Sequence, residues 1–187
     1  MFARQALTTG CTVVLRRRVV EVAIPFPEIL ASPVAPMRHD RWLSLVAAAV
    51  GTVRALPVPL LAFRIHPEQE TGVLVGGALY SALGRAAVGV VRADTAEHVQ
   101  GHLDRAGQLE AAAARADLVG DFENAAQLRA VADQHRRRAL GDPTVRGRLS
   151  LVTQGVRTGE YGTGPLGVGS VVADVVRAVL PRPTVDP

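Results

Sequence analysis

Lysine is missing from this sequence: all 21 basic residues among its 187 are arginine. Codon usage in a GC-rich genome accounts for that absence, together with the excess of Ala, Gly and Val. The functional alternative is selection for planar, bidentate contacts with anions, which arginine makes and lysine does not. Cysteine occurs once, at Cys11, which excludes an intramolecular disulfide framework and leads us to expect a buried or idle thiol. Aromatic residues are only 4% of the chain, so Ala, Val and Leu must build the core. That scarcity argues against an aromatic-rich β-sandwich. It also argues against single-strand nucleic-acid readout, for which Tyr161 is the only ring after Phe122.

Further absences narrow the class. Leu7-Thr-Thr-Gly-Cys11 is like a lipoprotein cleavage box, but Met1 to Ala6 supplies no apolar h-region before it. The apolar stretches 42–63 and 72–91 are interrupted by Arg54 and Arg85. A guanidinium at the bilayer centre costs about 2.5–3.5 kcal/mol on insertion scales, so buried core helices are expected and a membrane hairpin is the alternative. No Ser-His-acid order and no paired-carboxylate site stands out. The expected compartment is the cytoplasm.

What is present favours helices. Apolar residues make up 48% and charged residues 20%, a composition and length that suit one globular domain. The expected fold is mainly α, a helical bundle built on an antiparallel αα-hairpin over 94–140 with a short N-terminal β element or arm. Residues 1–36 read as an arm or strand and a Pro-rich connector, 37–180 as one α-helical domain, and 181–187 as a tail. Within 11–24, Val20, Val22 and Ile24 can line one face of a strand while Glu21 and Ala23 line the other. Met37 offers an alternative start. Asp40 can cap a helix whose stripe runs from Trp42 to Leu56 and which Pro57 ends. Val58 to His66 has strand character, a glycine-weakened helix follows near 68–85, and Asp142-Pro143 predicts a helix to about residue 157. A last helix, or a strand, is expected after Ser170.

The hairpin is the clearest segment. Val99, Leu103, Ala106, Leu109, Ala113 and Ala116 keep helical spacing, Gly120 can terminate that helix, and Asp121 can cap the next. Phe122, Ala125, Leu128, Val131, Ala132 and Ala139 continue the pattern until Gly141.

Three constellations carry candidate chemistry. Gly162-Thr-Gly164-Pro-Leu-Gly167 fits the dinucleotide-loop pattern, yet it lacks a leading strand and a following βαβ unit, so a plain loop is expected. His98 and His102 are spaced i, i+4, as metal-binding imidazoles on one helix face are, without the glutamate of a zincin. At 100° per residue each lies about 20° from Leu109, on the stripe the hairpin buries. His135 shares the face of Leu128 on the partner helix, so the three histidines could converge with Asp94 or Asp133 as further ligands. A divalent metal such as zinc in hydrolytic work would suit such a set; ordinary hydrogen-bonded histidines at the edge of a core are the plainer reading. The third constellation is charge. Residues 94–133 hold eight acids against three arginines, net −5; residues 136–157 hold six arginines against Asp142, net +5. Arg136, Arg137, Arg138, Arg146 and Arg148 are the candidate anion-binding residues. Arg136 to Arg138 also complement the dipole at a helix C-terminus.

The run Gly120-Asp-Phe-Glu-Asn-Ala-Ala-Gln-Leu-Arg129, preceded by an Ala-rich helix, resembles the UVR motif of excision-repair subunits and some Clp-family partners. Asp121, Phe122, Glu123, Ala125, Ala126, Leu128 and Arg129 carry the match; Ala130 stands where the motif has an acidic residue. The resemblance is confined to the hairpin. It implies protein–protein docking through Asp121, Phe122, Glu123 and Arg129, not catalysis. The leading expectation is therefore a non-catalytic interaction or assembly module that docks another protein or a second copy of itself. A metal-dependent enzyme centred on His98, His102 and His135 is the first alternative, and an arginine-mediated binder of nucleic acid or anionic membrane the second.

Overall fold

The structure is a computed structural model that describes residues 10–62, 95–141, 144–157 and 159, with helical residues at 171–172, 174–176 and 178–179. The chain is mainly helical, and no strand occurs among the described residues. Its helices are α1 (Arg17–Ala23), α2 (His39–Val50), α3 (Thr95–Leu118), α4 (Phe122–Leu140) and α5 (Val145–Arg157), with short 3₁₀ turns at Gly10–Thr12 and Glu28–Ala31. The glycine-rich pattern 162–167 and the helix expected near 68–85 lie outside the described residues.

The hairpin forms as its spacing predicts. Helices α3 and α4 pack along their length through Ala106, Leu109, Ala112, Ala113, Ala116, Ala125, Leu128 and Ala132. Alanine at these positions lets the two backbones approach closely. Gly120 makes the turn at φ 79°, in the left-handed region that costs a residue with a Cβ. Asp121 then accepts a hydrogen bond from the Asn124 backbone N–H at 3.1 Å, capping α4. Gly141, at φ 54°, closes the helix, and its N–H reaches the Arg137 carbonyl at 2.8 Å.

Helix α2 lies against both hairpin helices and contributes Trp42, Val46 and Ala49 to the same core. Trp42 is fully buried and its indole N–H donates to the Ala23 carbonyl at 2.9 Å. Ala23 and Leu30, from before Met37, belong to that core as well. A close approach fixes the arm. A Cβ on Gly107 would stand 3.1 Å from Ile29 Cγ1. Asp104, buried on the same helix, accepts from the Ser32 hydroxyl and, at 2.8 Å, from Gln100 Nε2.

Four expectations need correction. Residues 17–23 are a helix, not the N-terminal β element: Val19, Val22 and Ala23 face the core at i, i+3, i+4, and Arg17 pairs with Glu21 one turn on. Packing of that stripe against α2 outweighs the β preference of valine. Helix α2 stops at Val50, because Gly51 adopts an extended conformation; 51–62 is neither helix nor strand. Cys11 is exposed, not buried. In α5, Val152 is buried while Val145 and Val156 are exposed, and Val152 lies outside the main core cluster, as Ala139 and Ala178 do. The described residues after 170 are helical.

No helix among the described residues is long and apolar enough to cross a membrane.

Candidate functional site

The three histidines meet at the open end of the hairpin. The rings of His98 and His102 are edge to face with centroids 4.5 Å apart, one helical turn separating them on α3. His102 and His135 bring Nδ1 to Nδ1 at 2.8 Å across the two helices, ring centroids 5.1 Å apart. One of these nitrogens carries the proton and the other accepts it. His135 is held well below the usual histidine range, at about 4, first by burial and then by the charges of Arg138 and Arg105, with Asp174 opposing. His135 is therefore neutral at neutral pH.

Of the further ligands expected for a metal, Asp133 is engaged by Arg136 at 2.9 Å and Asp94 lies outside the described residues. Among the described residues no group of three or more His, Cys, Asp or Glu side chains is arranged to hold a metal ion. The shared proton occupies both Nδ1 atoms, so a metal could be reached there only through Nε2, and a cation would stand beside the two arginines that act on His135.

The histidines line a groove of about 2380 Å³ that runs past α2, α3 and α4. Four helices line it: Arg18, Val19 and Val22 of α1; Arg41, Ser44, Leu45 and Ala48 of α2; His98, His102, Arg105 and Gln108 of α3; Val131, Gln134, His135 and Arg138 of α4. The residues named on α2, α3 and α4 recur at steps of one, three or four residues, so each set lies on one face of its helix. The extended stretch 51–62 forms a further wall, with Leu56 and Leu60 more than 70% exposed. Val119, Gly120 and Asp121 of the hairpin turn line the same groove.

The residues expected to bind anions are not gathered into one free patch. Arg136 bonds to Glu110 and Asp133, both at 2.9 Å, and its pKa is raised by those two carboxylates. Arg138 faces Asp174 at 3.6 Å, and Arg148 Nε donates to the Ala178 carbonyl at 2.9 Å. Arg137 and Arg146 are exposed. The acidic and basic halves of this region thus meet within the molecule.

Of the hairpin residues, Asp121 is the cap and Arg129 pairs with Asp117 and Glu110, while Phe122 is 69% exposed and Glu123 is exposed and accepts from Gln127. Sequence reasoning missed Arg41, Arg105 and Gln108. Arg105 follows His102 at i+3, which was signal enough to place it on the histidine face. Arg41, on another helix, offered none.

No protein-family model matches the chain, and neither a curated protein nor a solved structure matches it.

Proposed function

We propose that the protein is a non-catalytic docking module that receives a segment of another protein in this groove. The observation that carries the reading is the wall 51–62: Val53, Leu56, Val58, Leu60 and Leu61 are exposed side by side along the groove. Contiguous exposed apolar side chains mark interaction surfaces. The groove also exceeds the roughly 300–1,000 Å³ of a small-molecule site. Leu118 and Phe122 are exposed apolar side chains at the hairpin turn, whose Val119 and Asp121 line the groove. This agrees with the docking role implied by the UVR-like run.

The test is photo-crosslinking in cells from a photoreactive residue placed at Leu60 or Phe122, with exposed Gln127 on the outer α4 face as control. A discrete adduct from 60 or 122 and none from 127 is expected. An adduct of twice the chain mass identifies a second copy as the partner. Equal labelling at all three positions, or no adduct, sinks the reading.

The contact of three imidazole rings favours one second reading, a divalent-metal site. Native mass spectrometry of chelator-free protein decides it. A stoichiometric zinc adduct, lost in the His98→Ala, His102→Ala double variant, would replace docking by metal chemistry.

A further inference from the structure

We propose that Arg41 and Arg105 form an anion site in the groove that takes the carboxylate of an acidic, extended peptide segment. The inference rests on the docking reading above and names the chemistry of the docked partner. Both guanidinium groups line the groove, from two different helices, and both residues are half-buried. Neither side chain makes a hydrogen bond or ion pair with a described residue. Other arginines of the hairpin are engaged: Arg115 with the Pro25 carbonyl, Arg129 with Asp117 and Glu110, Arg136 with Glu110 and Asp133. Burial and the neighbouring charge of Arg41 both lower the pKa of Arg105. Two like charges lining one partly desolvated groove are unfavourable until an anion joins them. A carboxylate between two guanidinium groups gains short, charge-assisted hydrogen bonds.

Gln108 separates a peptide from other anions. It follows Arg105 at i+3 in the same wall, and its Nε2 is fixed to the Ala35 carbonyl at 2.7 Å. Its buried Oε1 accepts no hydrogen bond from any described residue. That acceptor calls for an N–H, which a peptide backbone carries and a simple inorganic anion lacks. The apolar wall 51–62 of the same groove suits the alternate side chains of an extended strand. A polyphosphate would meet arginines in this groove too, but it would gain nothing from the exposed Val53, Leu56, Val58, Leu60 and Leu61 that line it beside them.

Fluorescence anisotropy of the full chain with labelled acetyl-(Glu-Leu)₃-amide tests the site, against acetyl-(Gln-Leu)₃-amide and a single-stranded oligonucleotide. The acidic peptide should bind about tenfold or more tightly than the neutral one, and Arg41→Gln with Arg105→Gln should abolish the difference. Equal binding of the two peptides overturns the anion site while leaving apolar docking intact. Absence of binding by either overturns it too, and the crosslinking from Leu60 and Phe122 then judges docking separately. Displacement of the acidic peptide by the oligonucleotide, lost in the double variant, reassigns the arginines to phosphate and overturns the peptide assignment. The wild-type comparison of the two peptides holds whether or not the variants fold.

Discussion

His135 shows how far packing moves a single side chain. Folded, its imidazole is neutral down to a pH of about 4, whereas in the unfolded chain it protonates near 6.5. The unfolded state therefore binds more protons between those values, and stability falls as pH is lowered from 6.5 toward 4. The contribution is complete above 6.5 and on the order of 3 kcal/mol in total. Urea unfolding at a series of pH values should show that slope, and His135→Gln should flatten it. An unchanged slope in the variant would assign the effect to other groups. Arg105 carries the opposite lesson. It is half-buried, has no acidic partner among the described residues and feels the charge of Arg41, so Arg105→Gln should stabilise the free protein by ~1 kcal/mol, or about 2–4 °C in Tm. A lower Tm would mean that the guanidinium stabilises the fold.

The hairpin turn is where local chemistry fixes an element. At Gly120 a Cβ would meet nothing within 4 Å, so the cost of Gly120→Ala is backbone strain and not collision. At φ 79° that strain is about 1–2 kcal/mol. Asp121→Ala removes the cap and should cost ~1 kcal/mol. Thermal unfolding by circular dichroism should show both losses, and helix content at low temperature should stay the same. Helix α1 shows where local chemistry does not decide. Alternation and helical spacing both fit 17–24, and only the α2 surface selected the helix, by offering a seat to Val19, Val22 and Ala23.

The core as a whole joins segments far apart in sequence. Trp42 of α2 bonds to Ala23, Gln108 of α3 to Ala35, and Arg115 to Pro25, so the segment before Met37 is fastened along one side of α3. A chain beginning at Met37 would lose buried Ala23 and Leu30 and the indole partner. Burial of a leucine side chain alone is worth about 1.5–3 kcal/mol. The shortened chain should unfold at lower temperature with red-shifted Trp42 emission. Identical emission and Tm would show that the core does not need the arm.

The hairpin was legible because its information is local: alanine and leucine at helical spacing, a glycine that can take positive φ, and an aspartate that can cap. The same periodicity placed His98 and His102 on the inward face of one helix and aimed His135 at them from the other. What periodicity could not supply was pairing across elements. Glu110 and Asp117 neutralise Arg129, and Glu110 with Asp133 neutralises Arg136, although the composition shows only segregated charge. Gly51 and Pro57 are both local stop signals for α2, and the helix ends at the glycine. By itself, then, the sequence determined an Ala-packed helical hairpin and the face on which its histidines stand, because backbone geometry converts spacing into direction. Only the tertiary structure decided that residues 17–23 are helical, that Arg41 and Arg105 line one groove, and that the wall 51–62 presents exposed apolar side chains along it. Those outcomes depend on which surfaces meet, and no stretch of chain encodes that alone.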